Sequence, residues 1–277
     1  MLHTHKIAKH LYLKRAGMQE LSFPAGSLTL NDLHRAPSGS INYRGADTDR
    51  AERSTTVWRE PDHGLAVRTP ALKQAKTARG HVFHGDTVIY HESELEHRVS
   101  LVLKTYRGLA RLISQYPKVE YVDDDGTARH HTFDYFAEWT DGTRIAIAVK
   151  YEPKREEMLQ LLDRICANGI TGVDKYGAAT PGVADAVALV TDAQATYEAF
   201  ENAFFLLSSR DHHDDAECAV LHNILLKMPD TFRFGQLLLG CWPRAKRRTA
   251  IWRLIDRGVL QPVSRGRIDE LTWLRRA

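Results

Sequence analysis

The stretch HTFDYFAEWTDGTRIAIAVK, residues 131–150, contains two apolar runs joined by a turn at Asp141-Gly142. Asp-Gly between two runs of strand-forming residues is typical of a tight β-hairpin. One arm carries Asp134 among aromatic residues, and the other arm ends on Lys150. Because strands joined by a tight turn lie about 5 Å apart, the hairpin predicts that these two charges share one cleft.

Asp134 is flanked by Phe133, Tyr135 and Phe136. A carboxylate in the middle of a strand is disfavoured by β propensity, and a buried carboxylate must be paired or bound to a metal. The pattern therefore favours a functional site at Asp134 over an exposed sheet face. Lys150 alone would more often be a solvated charge at a strand end, and its interest comes from its pairing with Asp134.

The segments around the hairpin predict an α/β core with the order helix, three strands, helix, strand, helix. In chain order these elements are a helix over 92–113, strands over 118–123, 128–139 and 143–150, a helix over 154–169, a strand over 185–191 and a helix over 192–209. The first helix is predicted from apolar residues at three- and four-residue spacing. The second is predicted to end at Asn-Gly, a helix stop signal. The core therefore mixes helices with a sheet.

Composition divides the chain into three predicted domains. Residues 1–80 show no sustained period and predict a basic N-terminal arm that is partly extended or disordered. The core occupies 81–208, and the polar break SSRDHHDDAE, which begins at Ser208, marks the boundary to a third part at 209–277.

The third part has the outline of a winged helix, a DNA-binding fold of three helices closed by a small hairpin. Three short helical patterns occur at 217–228, 232–240 and 243–258. Two short strands follow, around a turn at Ser264-Arg265-Gly266. This order predicts a domain that binds DNA or a DNA-bound partner.

The bulk composition excludes several classes of protein. The net charge is only +3 over 277 residues, so any case for a polyanionic partner depends on where the charge lies. Three widely separated cysteines suit neither a disulfide framework nor a familiar zinc pattern. No uncharged apolar run reaches the roughly 18 residues that span a bilayer. We therefore expect a soluble, cytoplasmic protein with no membrane partner.

Positive charge concentrates at the C-terminus, where ten Lys and Arg residues face three acids between Arg244 and Arg276. In a winged helix the third helix enters the major groove and the hairpin forms the wing. The candidate DNA-binding residues are Arg244, Lys246, Arg247 and Arg248 on the helix and Arg265 and Arg267 on the wing. A solvated helix face, or a docking surface for an acidic partner, is the alternative.

The core motifs resemble the PD-(D/E)xK nucleases, and more narrowly the TnsA-type transposon endonucleases, which cleave the 5′ ends of a mobile element. The local matches are SELE at 93–96, QYP at 115–117, TFDYF at 132–136 and VK at 149–150, with a weaker match of VTD at 190–192. The resemblance covers about residues 65–210. It implies a restriction-endonuclease-like core, αβββαβ with a mixed sheet, followed by a winged-helix domain.

The resemblance implies that Glu96, Asp134 and Lys150 are catalytic. It implies Mg²⁺ as the metal, with Mn²⁺ able to substitute, held by the two carboxylates and the main-chain carbonyl of Val149. Lys150 would orient the attacking water. The sequence departs from the family at Ala148, where these nucleases usually carry Glu and the TnsA type can carry Gln, so one metal ligand is lost.

The resemblance also implies partners: double-stranded DNA, a DDE-type transposase and an AAA ATPase regulator, with a homodimer as a further expectation. It implies a bacterial, nucleoid-associated protein as well. Two other functions stay open. One is a catalytically silent DNA-binding or assembly module on the nuclease fold, which Ala148 favours. The other is a stand-alone nuclease in DNA repair or defence.

Glu96 has a purely structural alternative, because SELE is also a Ser-x-x-Glu capping box in which Ser93 caps the helix. The nuclease hypothesis requires this helix to begin earlier, near His91, so that Glu96 faces inward. Glu92 and Glu94 compete with Glu96 for the catalytic role.

Two histidines precede Asp134, and they belong to the same predicted strand. His130 and His131 point to opposite faces of that strand, so at most one imidazole could join the cleft.

Overall fold

The computed structural model of the chain describes residues 65–67, 79–85, 87–174 and 176–277. Contacts divide the chain at residue 59, and all of the described residues lie in the second unit, 60–277. Of the predicted N-terminal arm at 1–80, only 65–67 and 79–80 are described. The prediction of an extended arm therefore lies almost entirely outside the described residues.

The described residues form a mixed α/β fold. The helices are α1 Glu94–Thr105, α2 Arg155–Ala167, α3 Tyr197–Asp211, α4 Asp215–Leu225 and α5 Arg244–Asp256, with 3-10 turns at Glu152–Lys154 and Phe234–Leu238. The strands are β1 Gly80–His84, β2 Thr87–His91, β3 Leu109–Ser114, β4 Lys118–Val122, β5 Ala128–Thr132, β6 Tyr135–Trp139, β7 Arg144–Val149, β8 Gly172–Val173, β9 Ala179–Thr180, β10 Ala186–Val190, β11 Thr231–Arg233, β12 Leu260–Pro262 and β13 Trp273–Arg276.

The β6–β7 hairpin forms the centre of a four-stranded sheet with the order β10-β7-β6-β3. Strands β6 and β7 pair antiparallel around the Asp-Gly turn, where Gly142 adopts a positive φ of 86°. Strand β10 runs parallel to β7, and a parallel neighbour requires a crossover, which here includes helix α2. The predicted strand at 185–191 and the helices at 154–169 and 192–209 are thus present.

The prediction of one strand over 128–139 is wrong, because the chain changes sheets in the middle of that segment. Strand β5 pairs with β4 in a second sheet of order β5-β4-β8-β9, whereas β6 belongs to the central sheet. The crossing point is Phe133 and Asp134, whose backbones bond to Pro117 and Gln115. Asp134 consequently lies between two strands rather than within one.

The prediction of a helix over 92–113 is also wrong in its second half. Helix α1 ends at Thr105, Gly108 adopts a positive φ of 74°, and β3 begins at Leu109. The apolar spacing fits a helix by local pattern, but pairing with β6 buries Leu112 and Ile113 in the sheet. Sheet formation with a partner distant in sequence overrides the helical periodicity.

The C-terminal region contains α4, α5 and a three-stranded sheet of order β11-β13-β12. The two predicted strands around residue 265 are present, but the helix predicted over 232–240 is instead strand β11 and a 3-10 turn. Phe232 is fully buried where β11 pairs with β13, which explains the strand. Helix α3 continues to Asp211, so the polar break at Ser208 begins as helix.

Apolar clusters cover both faces of the central sheet. Ile147 and Val149 pack toward α1 with Leu95, whereas Ala146 and Ala148 pack toward α2 with Met158. A separate cluster joins α4, α5 and the three-stranded sheet. Among the described residues, no helix has the length and apolar character needed to cross a bilayer.

Candidate functional site

Asp134 lies at the end of strand β7 and binds its backbone. Its Oδ2 accepts a hydrogen bond from the Val149 N–H at 2.7 Å, and the Lys150 Nζ lies 3.9 Å from the same oxygen. The pairing of β6 with β7 ends at Tyr135 and Ile147, so the carboxylate takes the place of a strand partner for Val149. The structure thus brings Asp134, Val149 and Lys150 together.

The main-chain carbonyl of Val149 points to the side of the sheet where Asp134 lies. The N–H and C=O groups of one strand residue face the same neighbour, and the Val149 N–H faces Asp134. The next residue bonds the other way, since the Lys150 N–H donates to the Val190 carbonyl at 3.2 Å. The Val149 carbonyl and the Asp134 carboxylate therefore lie on the same side of the strand.

Glu96 makes the contacts of a helix cap. Helix α1 begins at Glu94 with Ser93 as its N-cap, and not near His91. The Ser93 Oγ accepts from the Glu96 N–H at 3.2 Å and donates to Glu96 Oε1 at 2.9 Å. The Glu92 N–H donates to Glu96 Oε2 at 2.8 Å. The capping alternative predicted from SELE is therefore present in the structure.

Glu96 is nevertheless close enough to Asp134 for their charges to interact. Burial raises the pKa of the Glu96 carboxyl, the hydrogen bond from Glu92 opposes that shift, and the Asp134 charge raises the pKa again. Two carboxylates that repel one another suit a divalent cation, which neutralises both. Capping and metal binding are thus compatible at Glu96.

The competing glutamate Glu94 faces another part of the molecule. Its hydrogen bond raises the pKa of the Tyr197 phenol, so it is directed toward the start of helix α3. Arg98, one turn further along α1, is buried and donates to the Ala195 carbonyl at 2.8 Å. These contacts tie α1 to the start of α3 and to the turn before it, whereas the Glu96 carboxyl interacts with the charge of Asp134.

Tyr135 supports the site in a way that the sequence pattern did not indicate. Its fully buried phenol donates to the main-chain carbonyl of Glu96 at 3.0 Å. Burial, together with the charges of Glu96 and Asp134, raises its pKa well above the usual range, so the phenol stays a neutral donor. The only signal in the sequence was an aromatic residue next to Asp134.

Ala148 is fully buried in the apolar cluster between the sheet and helix α2. Phe133, Met158 and Leu162 belong to the same cluster. A carboxylate in this position would have to emerge from apolar surroundings to reach a metal. The position that usually supplies an acidic ligand in the resembled family is therefore a core position in this protein.

His131 and His130 lie on opposite sides of β5. His130 is 3.6 Å from Glu120 on an exposed surface, whereas the Nε2 of His131 is buried and lacks a hydrogen-bond partner among the described residues. Burial lowers the pKa of His131 to about 4, and the charge of Lys150 contributes to that shift. The neutral His131 imidazole is thus within electrostatic reach of the lysine.

Four of the predicted DNA-binding residues are exposed. Arg244 and Lys246 lie at the start of α5, and Lys246 is 3.5 Å from Asp214. Arg265 and Arg267 lie in the turn between β12 and β13, and the Arg267 guanidinium is 3.1 Å from Glu201. Each of these exposed basic side chains is accessible to a phosphate group.

The other two predicted DNA-binding residues have partners within the fold. Arg247 is only 7% exposed, forms an ion pair with Glu217 and donates to the Leu237 carbonyl. Arg248 is half-buried and pairs with Glu270. Both residues hold α5 against its neighbours, so their guanidinium groups are already engaged within the fold.

The metal donors that the structure offers are two carboxylates and one carbonyl. Within the described part of the chain, no group of three or more His, Cys, Asp or Glu side chains surrounds a common point. The oxygens of Glu96, Asp134 and Val149 are hard ligands, which suit Mg²⁺ or Mn²⁺.

A scan against protein-family models finds no matching family, and a search of curated proteins finds no matching sequence.

Proposed function

We propose that the chain is a Mg²⁺-dependent DNA endonuclease of the PD-(D/E)xK class, similar to the TnsA-type subunit. One observation carries the proposal. Asp134 is held by the Val149 N–H beside Lys150, within electrostatic reach of Glu96. An acid, a lysine and a second acid from a preceding helix are the groups that metal-dependent phosphodiester cleavage requires.

The strand order supports the restriction-endonuclease-like core. Strands β3, β6 and β7 are antiparallel neighbours, and β10 joins the β7 edge in parallel after α2. The αβββαβ order that the resemblance implies would correspond to α1, β3, β6, β7, α2 and β10, whereas β4, β5, β8 and β9 form a separate sheet. Helices α4 and α5 and the sheet β11-β13-β12 support a winged helix, in which the 3-10 turn Phe234–Leu238 would take the place of the expected middle helix.

The residues of the site would divide the work as follows. Glu96, Asp134 and the Val149 carbonyl would hold Mg²⁺, which acts as a Lewis acid and lowers the pKa of a bound water. Lys150 would orient the attacking water and offset negative charge on the phosphate. The Val149 N–H fixes the Asp134 carboxylate, and the Tyr135 phenol fixes the first turn of α1.

The substrate proposed is double-stranded DNA. Arg244 and Lys246 would meet the major groove at the start of α5, and Arg265 and Arg267 would contact the backbone from the wing. If the TnsA likeness extends to biology, the enzyme nicks 5′ ends beside a DDE-type transposase and an AAA ATPase. A neighbouring gene for either protein would separate this role from a stand-alone nuclease.

The test is cleavage of supercoiled plasmid and branched DNA with Mg²⁺ or Mn²⁺. Asp134→Ala and Lys150→Ala should each lower the nicking rate by about a hundredfold or more, since each removes several kcal/mol of transition-state stabilisation. Asp141→Ala is the matched control, because Asp141 is an exposed acid in the turn of the same hairpin. Unchanged nicking by Asp134→Ala would sink the proposal.

The second candidate function is a silent DNA-binding or assembly module. It is favoured by the apolar surroundings of Ala148 and by the capping contacts of Glu96. Calorimetric titration with Mg²⁺ or Mn²⁺ separates the two functions. An active nuclease binds metal in a manner that depends on Asp134, whereas a silent module gives no Asp134-dependent heat.

A further inference from the structure

A cavity of about 430 Å³ opens at the end of helix α1 that is remote from Glu96. Its walls come from the last turn of α1, the turn into β3, and helices α3 and α5. Lys104 follows Glu96 by eight residues, so the helical rise places the cavity about 12 Å along the axis from the candidate nuclease site. The cavity is therefore distinct from that site.

The lining of the cavity is strongly basic. One carboxylate, that of Asp256, contributes to it, and His84 adds an imidazole. The positively charged lining residues are Lys104, Arg107, Arg210, Arg253 and Arg257. Five cations around one carboxylate create a positive potential, which a concave surface concentrates.

The single carboxylate is already neutralised by neighbours inside the fold. Asp256 accepts from the Arg210 Nη2 and Nε at 2.7 and 3.0 Å, and it also pairs with Arg253. Arg210 donates in addition to the carbonyls of Lys104 and Thr105 at 2.8 and 2.7 Å. Asp256 thus forms a fixed floor with Arg210 and Arg253, and its charge is already balanced by these two guanidinium groups.

Lys104 and Arg107 are the two cations best placed to receive an anion. Arg107 directs its guanidinium at the main-chain carbonyl of Asp256 rather than at a carboxylate. Lys104 makes no ion pair with another described residue. Burial lowers the pKa of its ammonium group, and the charge of Asp211 opposes that shift. Arg253 also keeps a buried Nε without a partner among the described residues.

Arg257 adds a weaker positive charge, and Tyr106 adds an aromatic rim. The Arg257 guanidinium is 3.1 Å from Asp215, in a pair that solvent screens. Tyr106 is 56% exposed at the edge of the cavity. An exposed aromatic ring beside a basic pocket is a surface on which a nucleobase can stack.

We propose that this pocket binds the phosphate group of a nucleotide, with Lys104 and Arg107 as its contacts and Tyr106 stacked on the base. Guanidinium groups match the geometry of phosphate oxygens, and the volume lies within the range of small-ligand sites. The phosphate belongs either to a DNA strand that continues to the nuclease site or to a free nucleoside phosphate. The DNA source rests on the proposed nuclease function, whereas binding to the pocket needs no metal, so a test in EDTA can fail or succeed independently of cleavage.

The test measures binding to the full chain in EDTA, where metal-dependent cleavage does not operate. ATP is titrated by calorimetry, and a fluorescent DNA oligonucleotide is followed by anisotropy. Lys104→Gln and Arg107→Gln should each weaken binding of at least one probe by about tenfold or more, since a charged hydrogen bond is lost. Arg129→Gln is the matched control, because Arg129 is an exposed arginine on β5, outside the cavity.

The two probes distinguish the sources of the phosphate. Loss confined to the oligonucleotide assigns the pocket to the DNA backbone, and loss of ATP binding assigns it to a free nucleotide. The proposal is overturned if wild type binds neither probe, or if both folded pocket variants bind both probes as wild type does. Thermal melts establish that each variant is folded, and the two variants change different elements.

Discussion

Glu96 joins two tasks in one side chain. As a cap, its carboxylate accepts hydrogen bonds from the Glu92 N–H and the Ser93 hydroxyl. The same carboxylate also interacts electrostatically with Asp134. Because burial raises its pKa, the protonated form is favoured in the folded state. The contribution of Glu96 to the free energy of unfolding is complete below the pKa that the carboxyl has in the unfolded chain. It is lost as the pH rises through the higher pKa of the folded state. At neutral pH the charged form therefore costs stability.

Substitutions at Ser93 and Glu96 separate the two tasks. Glu96→Gln keeps a hydrogen-bond acceptor and removes the charge. At pH 7 the free energy of unfolding of this variant should therefore equal or exceed that of wild type. Its Mg²⁺-dependent nicking should be lost. Ser93→Ala removes the cap and should cost about 1 kcal/mol of stability with nicking retained. Urea unfolding and the plasmid assay measure both quantities.

The opposite pattern would contradict the assignment of Glu96. If Glu96→Gln destabilises the protein as much as Ser93→Ala and leaves nicking intact, Glu96 is a cap alone.

At the scale of elements, the turn after α1 sets the position of β3. Gly108 adopts a positive φ of 74°, and its carbonyl accepts from the Thr140 N–H at 2.7 Å. A Cβ at this position would meet the Thr140 Oγ1 at 3.0 Å. Both features link the end of α1 to the β6–β7 turn, and so to the sheet that carries Asp134.

Gly108→Ala should therefore destabilise the protein by about 1–2 kcal/mol, from the cost of a left-handed alanine and from the contact with Thr140. Gly126→Ala is the matched control, since Gly126 has a φ of 77° but open space around its Cβ position. Chemical denaturation of both variants isolates the contact. Equal losses in the two variants would show that the Thr140 contact contributes nothing.

At the scale of the whole molecule, one ionic cluster ties helix α1 to the C-terminal helices. Arg210 of α3 binds Asp256 of α5 and the last carbonyls of α1, at Lys104 and Thr105. The Asp256 side chain is only 9% exposed. Removing one member of a buried ion pair leaves the other charge without compensation, which is costly.

Asp256→Ala should lower the free energy of unfolding by about 2–3 kcal/mol, below the cost of a fully buried pair because Arg210 is partly solvated. Asp230→Ala serves as the control, since the Asp230 side chain is 98% exposed where it pairs with Arg276. Its removal should cost less than about 0.5 kcal/mol. Urea unfolding compares the two. A loss at Asp256 no larger than that at Asp230 would show that the cluster does not hold the helices together.

Local patterns predicted much of this fold. The Asp-Gly hairpin, the helices α2 and α3, the strand β10 and the Ser93 cap all follow from residues within a few positions of one another. Turn chemistry, apolar periodicity and capping act over such short distances, so they can be read directly from a sequence. The pairing of Asp134 with Lys150 was predicted for the same reason, since a tight turn joins their strands.

Only the tertiary structure decided the features that depend on partners distant in the chain. Pairing with β6 made 109–114 a strand rather than the end of a helix. Because the chain changes sheets at Asp134, the Asp134 carboxylate accepts a hydrogen bond from the Val149 N–H. Packing against α2 made Ala148 a core residue, and Glu217 drew Arg247 into the interior. The basic cavity draws its lining from residues between 84 and 257, and no local pattern brings such residues together. Burial and charge compensation are properties of the assembled chain, which is why the sequence pointed to Ala148 and Arg247 without determining their surroundings and did not point to the cavity.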